Sequence, residues 1–352
     1  MVKITINDKV TKLKEKSKAK NTQEKYKGDW LKFIDNCKNK YHCNPLDVDD
    51  LDSAYALTAN YMDWLHEDPE AKILKGSSNI SGREKVNNNP YSSTAYKAST
   101  IQRILASITY KYRLNGFQFD RKNPNIAETI SAIVRDEKNL KSGQAKEILK
   151  DDIVKIIDSI PNDSDDFRNI RDKTLILIGF YSFCRRSELL GMKYEHLHFG
   201  NDGIQVLIPF SKTDQTGEGR MIFLPATNDE YCPVKSLNNW LEVARIDNGP
   251  LFYKINKSNT IEKYTMNQKN QKVSLNDASF VLILKKRAGA AGLKDCDKIS
   301  GHSLRIGSIT QARMNGVPTH EIMAQSGHKT TQMIDRYTKL SNIRETSAAK
   351  KI

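Results

Sequence analysis

What this chain lacks narrows its role before any motif is read. It has no long hydrophobic run. The longest mostly apolar stretch, 175–183, spans nine residues, far short of the ~20 that a membrane-spanning helix needs. Cysteine is scarce: five in 352 residues, odd in number and scattered as Cys37, Cys43, Cys184, Cys232 and Cys296. No disulfide framework is expected from that, and a reducing, cytoplasmic setting is the default. Cys37, His42 and Cys43 lack metal-ligand spacing, so no metal site is predicted. The N-terminus carries seven lysines in its first 20 residues with no apolar stretch behind them, which argues against a signal peptide. No internal repeat is visible.

Negative charge is the next shortage. Asp and Glu number 42 against 56 Lys and Arg, a net charge of +14, and the mean hydropathy is −0.61. Such an excess favours a polyanionic partner, nucleic acid or an acidic membrane surface, without choosing between them. The excess is shared evenly: 25 basic and 18 acidic residues in 1–145, 31 and 24 in 146–352. If the partner is DNA, two domains grip it together. A length of 352 residues also predicts two domains.

The order of elements is mostly helical. Residues 1–20 read as a basic tail. Trp30, Phe33, Ile34 and Cys37 recur at spacings of three and four, and Tyr55, Leu57, Tyr61, Trp64 and Leu65 mark a second helix over 53–66. Residues 68–94, with Pro69, Gly76, Gly82 and Pro90, read as a long exposed loop. Ser99 is expected to cap a third helix before Ile101, Ile104, Leu105 and Ile108, and a fourth runs over 125–135. The charged stretch up to Lys150, with a Ser-Gly pair, reads as a linker, set at 141–149.

Beyond it come helices over 150–159 and 170–184, then a hairpin of IQVLIP (204–209) and RMIFLP (220–225) around SKTDQTGEG. Helices follow over 234–244, 276–290, 303–314 and 319–324, with short ones at 330–338 and 342–350. The fold class is mostly α with a small antiparallel sheet.

Taken singly, the polar residues of the second half say little. His302 in GHSLR reads equally as a capping or core histidine. Tyr337 is one of fourteen tyrosines, and packing is the ordinary role of any one of them. Arg185 and Arg186, in a helical pattern, read as a solvated face, and His328 after Gly327 as the close of a helix. Their order says more: Arg185 in SFCRRSELLGM, Lys212 in the hairpin turn, His302 and Arg305 in GHSLR, His328 in SGH, then Tyr337 in IDRYT.

This ordered set resembles the tyrosine recombinase (phage integrase) family. GHSLRIGSITQARMNGVPTHEIMAQSGHKTTQMIDRY is similar, without a gap, to the matching segment of its Cre-like bacterial and phage members. The likeness covers residues 150–350; in the N-terminal half it extends only to helical order and basic character. His328 stands where the Cre type member has tryptophan, and the loop 68–94 has no counterpart there.

The resemblance implies a helical (SAM-like) core-binding domain over 21–140 and a mixed α/β catalytic domain over 150–340. A C-terminal helix, 341–352, would be exchanged between protomers. It implies site-specific recombination at inverted repeats in double-stranded DNA, by a homotetramer holding two sites, through a Holliday junction and without a cofactor. Tyr337 would attack the scissile phosphate and hold it as a 3′-phosphotyrosine, because breaking a strand without losing its bond energy needs covalent catalysis. Arg185 and Arg305 would clamp the phosphate oxygens. His328 would donate to the same oxygens, His302 would manage the proton at the nucleophile, and Lys212 would protonate the leaving 5′ oxygen.

Glu188, one helical turn beyond Arg185, would support this cluster, the plainer reading being an i,i+3 ion pair. Gln102, Arg103, Lys111 and Arg113 on the third helix are candidates for reading bases in a major groove, with phosphate contact alone as the alternative. Two other readings stay open: a type IB topoisomerase-like nicking and closing enzyme, and a DNA-binding protein with a vestigial site.

Overall fold

The computed structural model describes residues 20–67, 71, 96–139, 145–162, 165–209, 219–263 and 274–335. The expected tail except Lys20, all of the expected loop except Ala71, Lys212, Tyr337 and the 341–352 segment lie outside them. The chain divides into two units, Met1–Ser142 and Gly143–Ile352.

Among the described residues of the first unit the apolar spacing becomes the helices α1 (Lys20–Tyr41), α2 (Leu51–Glu67), α3 (Ala98–Leu114) and α4 (Pro124–Asn139). Their buried faces meet in an aromatic core. Tyr112 stacks on Phe119 with ring centroids 4.9 Å apart and takes the edge of Trp30 at 5.4 Å, while Phe33 lies 5.1 Å from Tyr61. Two boundaries differ from the sequence expectation. The cap of α3 is Lys97, with extended backbone and no side-chain cap bond; Ser99 is already the second helical residue, past the N-cap position. Helix α4 starts at Pro124, whose missing N–H costs nothing at a helix start, and Asn123 Oδ1 accepts from Asn125 N at 3.0 Å.

The second unit is built around α6 (Phe167–Tyr181), preceded by α5 (Lys150–Asp158). Its run of Leu175, Ile176, Leu177, Ile178 and Phe180 is buried on every side, as expected of a helix apolar all round. Asp166 caps it, accepting from Arg168 N at 2.9 Å, so it begins three residues earlier than the apolar pattern suggested. It also ends at Tyr181 rather than 184. Phe183 takes the left-handed conformation (φ 55°) and breaks the helix, and the short helix α7 (Arg186–Leu190) begins afresh with Arg185 as its extended N-cap. Arg185 is therefore outside a helix, contrary to the helical reading of 185–186.

The sheet has three antiparallel strands in the order β1 (Leu197–Phe199), β2 (Gly203–Ile208), β3 (Arg220–Pro225). The hairpin pairing is Val206 with Ile222, whose side chains point to the core with Ile204 and Leu224. The free edge of β3 is met by one side chain: Gln325 accepts from Phe223 N at 3.2 Å and donates to Phe223 O at 2.8 Å. Then come α8 (Pro233–Val243), α9 (Asp277–Ala290), α10 (Ser303–Met314) and α11 (Thr319–Ser326), with residues 331–335 helical at the end of the described chain.

Helices α8 and α10 pack on α6. The segment 145–149 is docked on this unit: Lys146 N donates to Lys298 O at 3.1 Å and Ile148 N to Ser303 O at 3.3 Å. A Cβ at Gly307 would stand 1.7 Å from Ile148 O. Only glycine lets that backbone lie so close to α10.

Candidate active site

Four segments distant in sequence bring their polar residues to one place. The turn after α6 aims the Phe183 carbonyl at Arg305 in the first turn of α10, and Arg305 Nη1 donates to it at 2.7 Å. Strained backbone of this kind is common where a site must be held in one geometry. Arg185, as the cap of α7, places its own N–H 2.9 Å from Glu188 Oε2 and its Nη1 2.7 Å from Oε1. The expected Arg185–Glu188 contact is thus real, but a capping geometry makes it, not a shared helix face.

Glu188 is buried, with 3 % of its side chain exposed, and it gathers charge from three sides. Arg220 Nη2 donates to Oε2 at 3.0 Å, and Arg305 Nη1 stands 3.9 Å from the same oxygen. Burial alone would raise the Glu188 carboxyl. The hydrogen bond and charge of Arg220, then the bonds from Arg185, outweigh it and hold the group below the usual carboxylate range. Three guanidinium groups around one carboxylate leave two positive charges unbalanced.

His328 follows Gly327, the left-handed residue (φ 70°) that closes α11. Its Nδ1 lies 2.7 Å from Ser326 Oγ, and Arg305 Nη2 stands 3.0 Å from Nε2 and 3.2 Å from Nδ1. Burial first, then the charges of Arg305, Arg185 and Arg220, lower its pKa to about 4, so the ring is neutral at pH 7. His302 is the N-cap of α10 and more exposed. Partial burial, then Arg305, Arg186 and Arg185, lowers its pKa also.

Arg185, Glu188, His302, Arg305 and His328 are therefore brought together; Lys212 and Tyr337 lie outside the described residues. Arg220 is the member that sequence reasoning missed. It has no motif spacing to the others, and its one signal is its place at the start of the strand that follows the Lys212 turn. Arg186 leaves in another direction, to Asp277 on α9 at 2.6 Å.

The four candidate base readers of α3 do not form one face. At 3.6 residues per turn, Gln102 and Arg113 lie about 20° apart while Lys111 is about 180° from Gln102. Arg103 is ion-paired to Asp29 on α1, and Arg113 Nε donates to Phe119 O at 2.9 Å.

A helical unit followed by a mixed unit of this kind is the fold of the tyrosine recombinases. The structure of XerH site-specific recombinase bound to palindromic difH substrate superposes with a TM-score of 0.52 at 16 % identity, covering 94 % of this chain and 89 % of that one. The lambda integrase (75–356) dimer bound to a COC′ core site gives 0.51 at 16 % identity, covering 94 % and 93 %.

Residues 146–344 match the phage integrase family model, and the chain belongs to that family. An integrase/recombinase xerD homolog of Selenomonas ruminantium is 33 % identical over 334 residues, 94 % of this chain and 84 % of that protein. Tyrosine recombinase XerA of Pyrococcus furiosus is 21 % identical over 249 residues, covering 70 % and 71 %. As a member, this chain is an enzyme that cleaves and rejoins DNA strands in site-specific recombination.

Proposed function

We propose that the protein recombines pairs of inverted-repeat DNA sites through a 3′-phosphotyrosyl intermediate on Tyr337 and a Holliday junction, as a Cre-like homotetramer. The reading is carried by the convergence of Arg185, Arg305, His302 and His328 around buried Glu188, with two positive charges in excess. A phosphodiester brings one negative charge and its pentacoordinate transition state brings two, so this surplus suits the transition state better than the ground state.

Arg185 and Arg305 hold the non-bridging oxygens, each offering paired N–H donors. His328, neutral, donates one N–H to the phosphate, and His302 relays the proton of the nucleophile. Lys212 protonates the leaving 5′ oxygen. Residues 21–140 form the core-binding domain, 141–149 the linker, 150–340 the catalytic domain and 341–352 the exchanged helix. Gln102, Arg103, Lys111 and Arg113 are the candidate DNA contacts of the first domain, of which Gln102 and Arg113 share a face.

The test is covalent capture. A target duplex is selected from random DNA by binding, labelled and nicked near its centre, then incubated with the protein and run on a denaturing gel. A protein–DNA adduct is expected with the native chain and none with Tyr337→Phe, while binding stays the same. An adduct that persists in the mutant shows another nucleophile. Relaxation of supercoiled DNA that carries no target site favours the nicking and closing reading instead.

A further inference from the structure

We propose that Arg220 is a positioning residue of the cleavage site, one that holds the Glu188 carboxylate and the Gly327–His328 turn in fixed relation and so keeps Arg305 turned to Phe183 and His328 rather than hydrogen-bonded to Glu188. The inference rests on the cleavage reading above. Three observations carry it.

The first is what Arg220 touches. Its Nη2 donates to Glu188 Oε2 at 3.0 Å and reaches Cys184 Sγ at 3.6 Å, and its side chain is 15 % exposed. Its Nε and Nη1 are buried without a hydrogen-bond partner. With those two nitrogens closed to solvent and the third taken, the group acts through its neighbours.

The second is Gly327. A Cβ built there would stand 2.9 Å from Arg220 Nη1, 3.0 Å from Cζ and 3.1 Å from Nε. The guanidinium lies flat against the glycine, which accounts for the two unpaired nitrogens. Gly327 is favoured by its positive φ, and a side chain there would in addition displace the Arg220 guanidinium. The same device recurs at the other histidine: Gly301, just before His302, lies under Arg186, whose Cδ would be 2.6 Å from a Cβ there and whose Nε is likewise buried and unpaired. Arg186 is anchored on Asp277 instead; of these two arginines only Arg220 reaches Glu188.

The third is competition. Glu188 Oε2 takes Arg220 at 3.0 Å and leaves Arg305 at 3.9 Å, with Arg305 Nη1 donating to Phe183 O and Nη2 beside His328. Without Arg220 that oxygen has room for Arg305, which would turn away from His328 and from the phosphate.

The experiment compares Arg220→Met and Arg220→Lys with the native full-length chain. It follows the His328 ring by NMR titration without DNA, and single-turnover cleavage of the nicked target at saturating protein. The charged groups facing His328 are Arg305 from α10, Arg185 and Glu188 from the start of α7, and Arg220 from β3; Ser326 is its neutral partner.

Arg220→Met removes one positive charge, so the His328 titration should move up by about half a unit or more. Cleavage should slow about tenfold or more, with DNA affinity unchanged. Arg220→Lys keeps the charge and loses the flat contact: the titration should stay low while cleavage slows. An unshifted His328 in Arg220→Met, or cleavage within about twofold of native, overturns the proposal. If Arg220→Met shows no melting transition, Arg220→Lys decides alone, native-rate cleavage counting against. A native chain that forms no adduct sinks the cleavage reading, and the titration then still reports on Arg220.

Discussion

Two buried carboxylates of the catalytic unit, Asp172 and Glu188, each sit among arginines, and they are finished to different degrees. Asp172 Oδ1 accepts from Arg171 Nε at 3.0 Å and Nη2 at 2.6 Å, and Oδ2 from Arg287 Nε at 2.8 Å. Arg287 Nη2 also donates to Asn169 Oδ1 at 2.7 Å, and Arg171 Nη1 to Tyr253 O at 3.3 Å. Among the described residues, no buried nitrogen or oxygen of these side chains lacks a partner. The knot ties α6 to α9.

Glu188 has three guanidinium groups to Asp172's two, with two histidines of lowered pKa beside them and buried Arg220 nitrogens left unpaired. A buried cluster with surplus charge costs stability, and such costs are tolerated where function needs them. The same chemistry serves as a rivet in one place and, on the proposed function, as a receptor in the other.

Breaking the rivet should give the largest effect. Asp172→Asn leaves two guanidinium groups buried without a counter-charge and should lower the unfolding free energy by about 3–5 kcal/mol, measured by urea titration. The cleavage rate per folded molecule should be unchanged; a large rate loss would erase the distinction between the clusters.

Arg305→Ala should do the reverse. Cleavage of nicked DNA should slow on the order of 10²-fold, with a stability loss smaller than that of Asp172→Asn. Equal losses of stability would make the Glu188 cluster as structural as the other.

Acid sharpens the comparison further. The folded His328 pKa is depressed to about 4 from 6.5. As pH falls through that window the unfolded ring takes up a proton and the folded ring does not, so stability drops, on the order of 2 kcal/mol by pH 5. Glu188 acts lower: its depressed carboxyl contributes fully above the ordinary carboxylate range, and that stability is lost as pH falls through that range toward its folded value. His328→Gln should flatten the limb between pH 7 and 5 in urea titrations; an unchanged limb would place the acid sensitivity elsewhere.

The smallest effect belongs to an arginine outside both clusters. The Arg103–Asp29 pair joins α3 to α1 with Arg103 39 % exposed. Arg103→Ala should cost about 0.2–1 kcal/mol, with no change in the acid limb of the melting curve.

Local pattern carried the helices and the hairpin because burial repeats every three or four residues along a helix and every two along a strand. Trp30, Phe33 and Cys37 are all buried in α1, and the hairpin pairs Ile204 with Leu224 as alternation demands. Strand β1 was invisible, since three residues are too few to show a period. The helix ends were misplaced where a cap without side-chain chemistry, Lys97, or a left-handed phenylalanine, Phe183, set the boundary.

In the site, Arg185, His302, Arg305 and His328 were legible through their order and the family likeness. Arg220 was not. Its partners lie 32 and 107 residues away at Glu188 and Gly327, and only the folded chain shows that they meet.

One side chain governs how the sheet behaves while the protein is being made. The edge of β3 is sealed by Gln325, 102 residues beyond Phe223. On a ribosome adding about 5–20 residues per second, β3 emerges roughly 5–20 s before its seal. Through that interval Phe223 offers an open edge to any neighbouring nascent chain. Two amide hydrogen bonds from one late residue end that exposure at Phe223, so slowing the synthesis of the last helices should lower the yield of native protein.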